Sequence, residues 1–129
     1  MSLKILLVDD NLTFLASVKK SLKMLPNVQV MAEAHNGVQA LEMAQRLQPD
    51  LVLLDIVMPQ MSGLEVAAYM QGWERSPYIV FLSLHDNESY RSAAHDLGVL
   101  GMVGKANFVA DLMPIITTLA AELAASAGN

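Results

Sequence analysis

Residues 51–59 read Leu-Val-Leu-Leu-Asp-Ile-Val-Met-Pro. Four apolar residues in succession are typical of a parallel strand that is covered on both faces. Asp55 interrupts this run, and an acid in apolar surroundings costs free energy unless it is paired or used chemically. The stretch therefore predicts a buried strand, Leu51–Leu54, that ends at a carboxylate with a functional role.

Similar apolar runs lie on both sides of this strand. The predicted strands are Leu3–Val8, Val28–Ala34, Leu51–Leu54, Tyr78–Leu82 and Leu100–Val103. Segments with helical spacing separate them, and parallel neighbours need such crossovers. Five repeats of strand and helix predict an α/β fold, a doubly wound five-stranded parallel sheet with helices on both faces.

The helix boundaries have their own chemical signals. Side chains able to cap a helix N-terminus stand before the first four predicted helices, at Asn11, Asn36, Ser62 and Asn87. Pro26, Pro49 and Gly98 mark the ends of the first, second and fourth helices. The fifth helix has a cap candidate at Asn107, and Pro114 is expected to kink it or to mark a restart.

Composition bounds the class of protein. The 129 residues carry 8 Lys plus Arg against 13 Asp plus Glu, a net charge of −5, and 53% are hydrophobic. This predicts one folded domain, excludes a disordered chain and argues against direct nucleic-acid binding. No Cys is present, the start does not resemble a secretory signal, and no uninterrupted apolar run reaches the ~18 residues of a membrane span. A cytoplasmic location without membrane binding is expected.

Polar residues stand directly after the predicted strands, where a parallel sheet brings its carboxyl ends together. They are Asp9 and Asp10 after the first, Asp55 after the third, Ser83 after the fourth and Lys105 after the fifth. Three carboxylates form an oxygen-only site suited to Mg²⁺, a hard cation that also binds phosphate oxygens. An ammonium and a hydroxyl can contact the remaining phosphoryl oxygens. The set predicts phosphoryl transfer to Asp55.

The order and placement of these motifs resemble the receiver domain of two-component response regulators. The resemblance covers essentially the whole chain and rests on the acid pair, the segment 55–59, Ser62-Gly63, Ser83 and residues 101–105. It implies a flavodoxin-like sheet of order 2-1-3-4-5. The domain is expected over residues 1–124, with residues 125–129 as a frayed tail or the start of a linker.

The resemblance also implies roles for single residues. Asp55 would accept a phosphoryl group from a histidine kinase or a phosphotransfer protein. Asp10, Asp55 and the main-chain carbonyl of Val57 would bind Mg²⁺ directly, and Asp9 through water. Lys105 would pair with the phosphoryl group, and Ser83 would move to hydrogen-bond it. The domain would be no enzyme, although it would assist its own phosphorylation and dephosphorylation.

Regulation would follow from the same resemblance. Phosphorylation would shift the face made by the fourth helix, fifth strand and fifth helix, and so regulate a partner or an attached output domain. Residues 105–109 and 112–114 look like those of receivers attached to helix-turn-helix DNA-binding domains, which implies an output in transcription; a stand-alone receiver would have much the same sequence. Phosphorylation-dependent homodimerisation is a further expectation.

The sequence departs from the family pattern near the site. Met102 occupies the position of a switching Tyr or Phe, so a repacking methionine is expected to replace the aromatic readout. Ala106 follows the lysine where proline is common, which implies either a trans bond with a different turn or strain beside the site. Leu84 is bulkier than the small residue often found there, and with Val57 and His85 it predicts a restricted site and a long-lived phosphoryl group.

Three other functions compete with this interpretation. A degenerate receiver would act as a phosphorylation-independent interaction module, but all five expected site residues are present. An FMN carrier would have a Ser/Thr/Gly-rich phosphate cradle where this chain has Asp9-Asp10-Asn11. A phosphatase with an aspartyl nucleophile would have two acids in one loop, whereas here they follow separate strands.

Overall fold

The strands of the computed structural model form one parallel sheet, in the order β2-β1-β3-β4-β5. The structure describes residues 2–85 and 87–127. Its strands are β1 Leu3–Val8, β2 Val28–Ala34, β3 Leu51–Asp55, β4 Tyr78–Ser83 and β5 Gly101–Gly104. Its helices are α1 Leu12–Leu22, α2 Gly37–Leu47, α3 Gly63–Gln71, α4 Glu88–Leu97 and α5 Phe108–Ala127. The predicted fold class and strand order are confirmed.

Both faces of the sheet are covered, which explains the continuous apolar runs. Val52 and Leu54 of β3 point into a cluster with residues of α2, α3 and α4. Leu51 and Leu53 point into a second cluster with residues of α1 and α5. β3 is the middle strand of the sheet and all of its residues are buried, so its terminal acid lies at the centre of the carboxyl edge.

The four predicted caps are present. The side-chain oxygens of Asn11, Asn36, Ser62 and Asn87 each accept a backbone N–H from the first turn of α1, α2, α3 and α4. Helix α4 ends at Gly98, whose φ of 72° is the left-handed conformation that glycine adopts without a Cβ clash. These local signals place the loops that carry the polar residues.

The ends of some elements differ from the predicted ones. Strands β3 and β4 each include the polar residue that follows the apolar run, because parallel pairing continues through Asp55 and Ser83. A 3-10 turn over Lys105–Asn107 precedes α5. Of the two alternatives predicted at Pro114, the restart is wrong, since α5 is one helix from Phe108 to Ala127, and the kink stays a prediction. The domain boundary after residue 124 stays a prediction, and residues 128–129 lie outside the described residues.

The C-terminal helix is strongly apolar. Within the described chain, Lys105–Ser126 is long and apolar enough to cross a membrane by length and composition alone, with a mean hydropathy of 1.6. Core helices pass the same test, and α5 packs Leu112, Ile116 and Leu119 against the sheet. The packing accounts for one stripe of the helix, and most of its remaining surface is exposed.

Candidate functional site

The predicted polar residues meet at the carboxyl edge of the sheet. Asp9 directly follows β1, Asp55 and Ser83 are the last residues of β3 and β4, and Lys105 opens the turn after β5. Among the described residues, these four are the buried side chains that are polar or charged. Burial of such groups at a single place is costly, so their interactions must compensate for lost hydration.

Three carboxylates form the acidic part of the site. Asp9, Asp10 and Asp55 each offer an oxygen within 4.8 Å of the other two. Asp10 is exposed, whereas Asp9 is fully buried. The cluster therefore presents one accessible acid and two buried ones to the same small volume.

Lys105 supplies the neighbouring positive charge. Its Nζ lies 2.6 Å from Asp9 Oδ2 and 3.4 Å from Asp55 Oδ1, and its side chain is only 6% exposed. Asp9 Oδ2 has no hydrogen-bond donor with good geometry in the described structure, so it depends on this ion pair. One ammonium faces three carboxylates, which leaves an excess of negative charge at the cluster.

Among these acids, Asp55 has a strongly shifted pKa. Its burial, together with the nearby charge of Asp9, raises the pKa of Asp55 from 3.8 to about 7, although Lys105 opposes the shift. Desolvation is the largest cause, because β3 lies in the middle of the sheet. Any cation that entered the acidic cluster would favour the ionised, nucleophilic form of this carboxylate.

Asp9 also organises the start of α1. Its Oδ1 accepts the backbone N–H of Asn11 at 2.9 Å, and Asn11 Oδ1 accepts the N–H of Phe14 at 3.0 Å. Asp9 therefore both joins the acidic cluster and orders the turn that leads into α1.

Ser83 is held by its own loop. Its hydroxyl donates to the carbonyl of His85 at 2.7 Å and accepts the N–H of His85 at 3.3 Å. The hydroxyl must exchange this local bond for any new partner near Asp55. The movement of Ser83 towards a phosphoryl group stays a prediction.

The site opens into a cleft of about 470 Å³. The cleft is lined by Asp10, Asn11, Asp55, Val57, Ser83, Leu84, His85 and Lys105. The apolar side chains of Val57 and Leu84 stand at its mouth and are 61% and 73% exposed. Both line the same cleft as Asp55, and the restricted site that they predict stays a prediction.

Gly63 and Phe14 make contacts at the site that the sequence did not predict. Gly63 donates its N–H to the carbonyl of Ile56 at 2.7 Å, and a Cβ on Gly63 would lie 2.0 Å from the carbonyl oxygen of Asp55. Phe14 places its ring 4.8 Å from Lys105 Nζ. Gly63 was visible in the sequence as part of a motif, whereas helical spacing gave no signal for the contact of Phe14.

The turn after β5 resolves one alternative. The Lys105–Ala106 peptide bond is trans, and the chain turns through the short 3-10 segment. The chain therefore reaches Lys105 without a cis bond, and the lysine begins the short 3-10 turn. His35, His85 and His95 lie outside the described acidic cluster.

Comparisons with known proteins agree with this architecture. The family model described as "Response regulator receiver domain" matches residues 5–117. The nitrate/nitrite response regulator protein NarL of Escherichia coli (strain K12) is 37% identical over 117 residues, covering 91% of this chain and 54% of that protein. The REC domain of AraT, a response regulator from Geobacillus stearothermophilus, superimposes with a TM-score of 0.84 at 26% identity, covering 98% of each chain.

The fold and the acidic edge describe an α/β domain with a cluster of carboxylates at one end of its sheet, and the family match makes the class specific. The chain belongs to the receiver domains of two-component response regulators. It spans about half the length of the Escherichia coli relative. The protein-glutamate methylesterase/protein-glutamine glutaminase of Pseudoalteromonas atlantica, 42% identical over 84 residues, is covered over only 22% of its length, so similar receivers occur in proteins of different activity.

Proposed function

We propose that Asp55 is the phosphoacceptor of this receiver, with a histidine kinase or a phosphotransfer protein as donor. The observation that carries the proposal is the convergence of Asp55, the acid pair and Lys105 at one sheet edge. Asp55 is the acid at the centre of this arrangement, and it faces an open cleft. A donor group can therefore approach it from solvent.

The acidic cluster fits Mg²⁺ as cofactor. Its donors are carboxylate oxygens, which suit a hard cation, and its excess negative charge requires compensation. Asp10 and Asp55 would hold the ion directly and Asp9 through water, with the carbonyl of Val57 as a further ligand. When bound, Mg²⁺ would offset the repulsion between the carboxylates and the phosphoryl oxygens.

The chain's own residues then account for the transfer. One oxygen of the ionised Asp55 forms the new P–O bond, while the P–N bond of the donor phosphohistidine breaks and its electron pair stays on the imidazole. The product is an acyl phosphate on Asp55. The fixed position of the carboxylate at the end of β3 supplies orientation, which is a large part of catalysis in phosphoryl transfer.

Lys105 and Ser83 would stabilise the transferred group. The buried ammonium lies between Asp9 and Asp55, so it can contact a phosphoryl oxygen on Asp55 with little movement. Ser83 would leave the carbonyl of His85 and donate to a second phosphoryl oxygen. These contacts would also assist phosphorylation by small donors and later hydrolysis.

The output would pass through the face made by α4, β5 and α5. Met102 lies on β5 beside Phe81 and packs against the cluster that includes residues of α4. Movement of Ser83 at the end of β4 can therefore reach this face through paired strands. An effect on transcription through an attached DNA-binding domain is proposed from the similarity to the transcriptional regulatory protein DegU of Brevibacillus brevis, 32% identical over 103 residues, together with a phosphorylation-dependent homodimer.

Intact mass after incubation with Mg²⁺ and acetyl phosphate tests the phosphoacceptor. One phosphoryl adduct is expected in the wild type and in Asp96→Asn, which alters an exposed acid on α4. The adduct should be absent in Asp55→Asn and sensitive to hydroxylamine, which cleaves acyl phosphates. Size exclusion of the same samples measures whether the adduct drives dimerisation.

Two outcomes would contradict the proposal. An adduct that persists in Asp55→Asn would place the phosphoryl group on another residue. The absence of an adduct with both acetyl phosphate and a phosphorylated histidine donor, when Mg²⁺ binding is confirmed by titration, would favour a phosphorylation-independent interaction module.

A further inference from the structure

The side chain of Lys105 has an unusual environment on its side away from the acids. The ring centroid of Phe14 lies 4.8 Å from Nζ, and the ring of Phe108 meets that of Phe14 edge to face, with centroids 5.3 Å apart and planes at 75°. The two rings form an apolar surface beneath Lys105, the only buried cation among the described residues.

We infer that Phe14 is a positioning residue for Lys105, and that this role deepens the proposed function of the site. An ammonium within about 6 Å of an aromatic centroid is attracted by the negative face of the ring. The attraction is strongest where water is excluded, and the Lys105 side chain is only 6% exposed. The ring thus favours the rotamer that aims Nζ at Asp9 and Asp55.

A closed series of contacts fixes the ring itself. Asp9 holds the N–H of Asn11, Asn11 caps the N–H of Phe14, Phe14 faces Lys105, and Lys105 returns to Asp9. A substitution at any of these four residues is therefore expected to alter the contacts of the others. The first residues of α1 are built around the same acid that pairs with the lysine.

The backbone at Lys105 explains why contacts with Phe14 are needed to position its side chain. Lys105 has a flexible four-carbon stem, and its own turn is a single 3-10 segment with a trans bond to Ala106. No proline ring restricts that turn. Phe108, one residue beyond the turn, packs on Phe14 and so ties the start of α5 to α1. The packing of Phe14 and Phe108 therefore helps to hold the Lys105 side chain in place, which the short turn does not do by itself.

Phe14→Leu removes the aromatic face while it keeps an apolar side chain. We expect the initial rate of phosphorylation by acetyl phosphate at saturating Mg²⁺ to fall about three- to tenfold, the range given by one cation–π contact. Phe14→Tyr keeps the ring and should restore the rate to within about twofold of the wild type. Tyr69→Leu, an exposed aromatic on α3, is the matched control and should leave the rate unchanged.

Side-chain NMR of Lys105 provides a readout that a general loss of stability would not give. Nuclei above an aromatic face are shifted upfield, so the ε-methylene protons of Lys105 should resonate upfield of those of Lys20 and Lys23 in the unphosphorylated wild type. The shift should persist in Phe14→Tyr and disappear in Phe14→Leu. The wild-type measurement stands even where a variant folds poorly.

The outcomes separate this inference from the proposed function. A wild type without an upfield shift, or a Phe14→Leu protein that keeps both its shift and its rate, would overturn the role of Phe14. Loss of the shift with an unchanged rate would overturn it as well. A wild type that shows the shift but forms no adduct with acetyl phosphate or a phosphohistidine donor would instead overturn the proposed phosphoacceptor function.

Discussion

The ionised form of Asp55 destabilises the folded chain, because this carboxylate is buried at the centre of the sheet edge. Its pKa is raised to about 7 by burial and by Asp9, so the folded state holds a proton that the unfolded state has released. The stabilising effect of this proton is complete below about pH 4 and disappears as the pH rises through about 7. The sign is thus opposite to that of a salt-bridged surface acid.

The first prediction concerns Asp55→Asn, which is neutral at every pH. Without metal, the free energy of unfolding of the wild type should fall relative to the variant by about 2–4 kcal/mol between pH 4 and pH 8. Urea unfolding in EDTA at several pH values measures the difference. Asp96→Asn, which removes an exposed acid, should track the wild type. A constant difference between the wild type and Asp55→Asn would contradict the buried, protonated state.

Leu84 lines the cleft that contains Asp55. Its side chain is 73% exposed and lies beside the route from solvent to Asp55, so a smaller residue should admit water more freely. We predict that Leu84→Ala shortens the lifetime of the phosphoryl group about threefold or more, a change of roughly 0.7 kcal/mol in the barrier to hydrolysis. The decay of the intact-mass adduct after removal of the donor measures this rate.

The control for Leu84 is a leucine at the opposite end of the sheet. Leu100 precedes β5, is 45% exposed and does not line the cleft, so Leu100→Ala should leave the decay unchanged. Equal decay rates in Leu84→Ala and the wild type would show that the exposed side chain does not restrict water.

At the scale of elements, the start of α3 fixes the end of β3. A Cβ on Gly63 would meet the Asp55 carbonyl oxygen at 2.0 Å, a distance that backbone atoms cannot tolerate. Gly63→Ala should therefore displace α3 or the loop before it, destabilise the fold by about 1–3 kcal/mol and slow phosphorylation about tenfold or more. Thermal unfolding and the initial rate of adduct formation test both parts.

The same helix offers a matched control at its other end. A Cβ on Gly72 would come no closer than 3.5 Å to a neighbouring atom, the carbonyl oxygen of Tyr69, which is ordinary van der Waals contact. Gly72→Ala should keep the wild-type phosphorylation rate. Wild-type behaviour of Gly63→Ala would mean that the loop adjusts without moving Asp55.

The elements also show how far sequence reasoning reaches. Capping residues such as Asn11 and Ser62 act within one turn, so they could be read correctly from the chain alone. The continuation of α5 through Pro114 could not be predicted in the same way, because packing of α5 on the sheet outweighs the one backbone hydrogen bond that proline removes. The contact of Phe14 with Lys105 joins distant segments, and helical periodicity carries no record of such a pair.

Across the whole molecule, the proposed phosphoacceptor edge and the proposed output face share β4 and β5. Ser83 pairs in register with Gly104, and Phe81 pairs with Met102. Met102 is partly buried against the cluster that includes Ala94 of α4. Ser83, which is proposed to change partner, is therefore two positions along β4 from Phe81, whose neighbour Met102 lies at the proposed output face. Such a connection lets phosphorylation and partner binding influence each other reciprocally.

The last prediction tests this connection with methyl NMR of the methionines. Phosphorylation of the wild type should shift the Met102 methyl signal, because a flexible side chain repacks when Ser83 moves. The methyl of Met24, which is 83% exposed and lies beyond the C-terminal end of α1, away from the carboxyl edge of the sheet, should not shift. In Ser83→Ala the adduct should still form on Asp55, but the Met102 shift should shrink by about half or more, since the moving hydroxyl is gone. An equal shift in both proteins would show that the signal reaches β5 by a route other than Ser83, with Lys105 as the remaining link between the phosphoryl group and that strand.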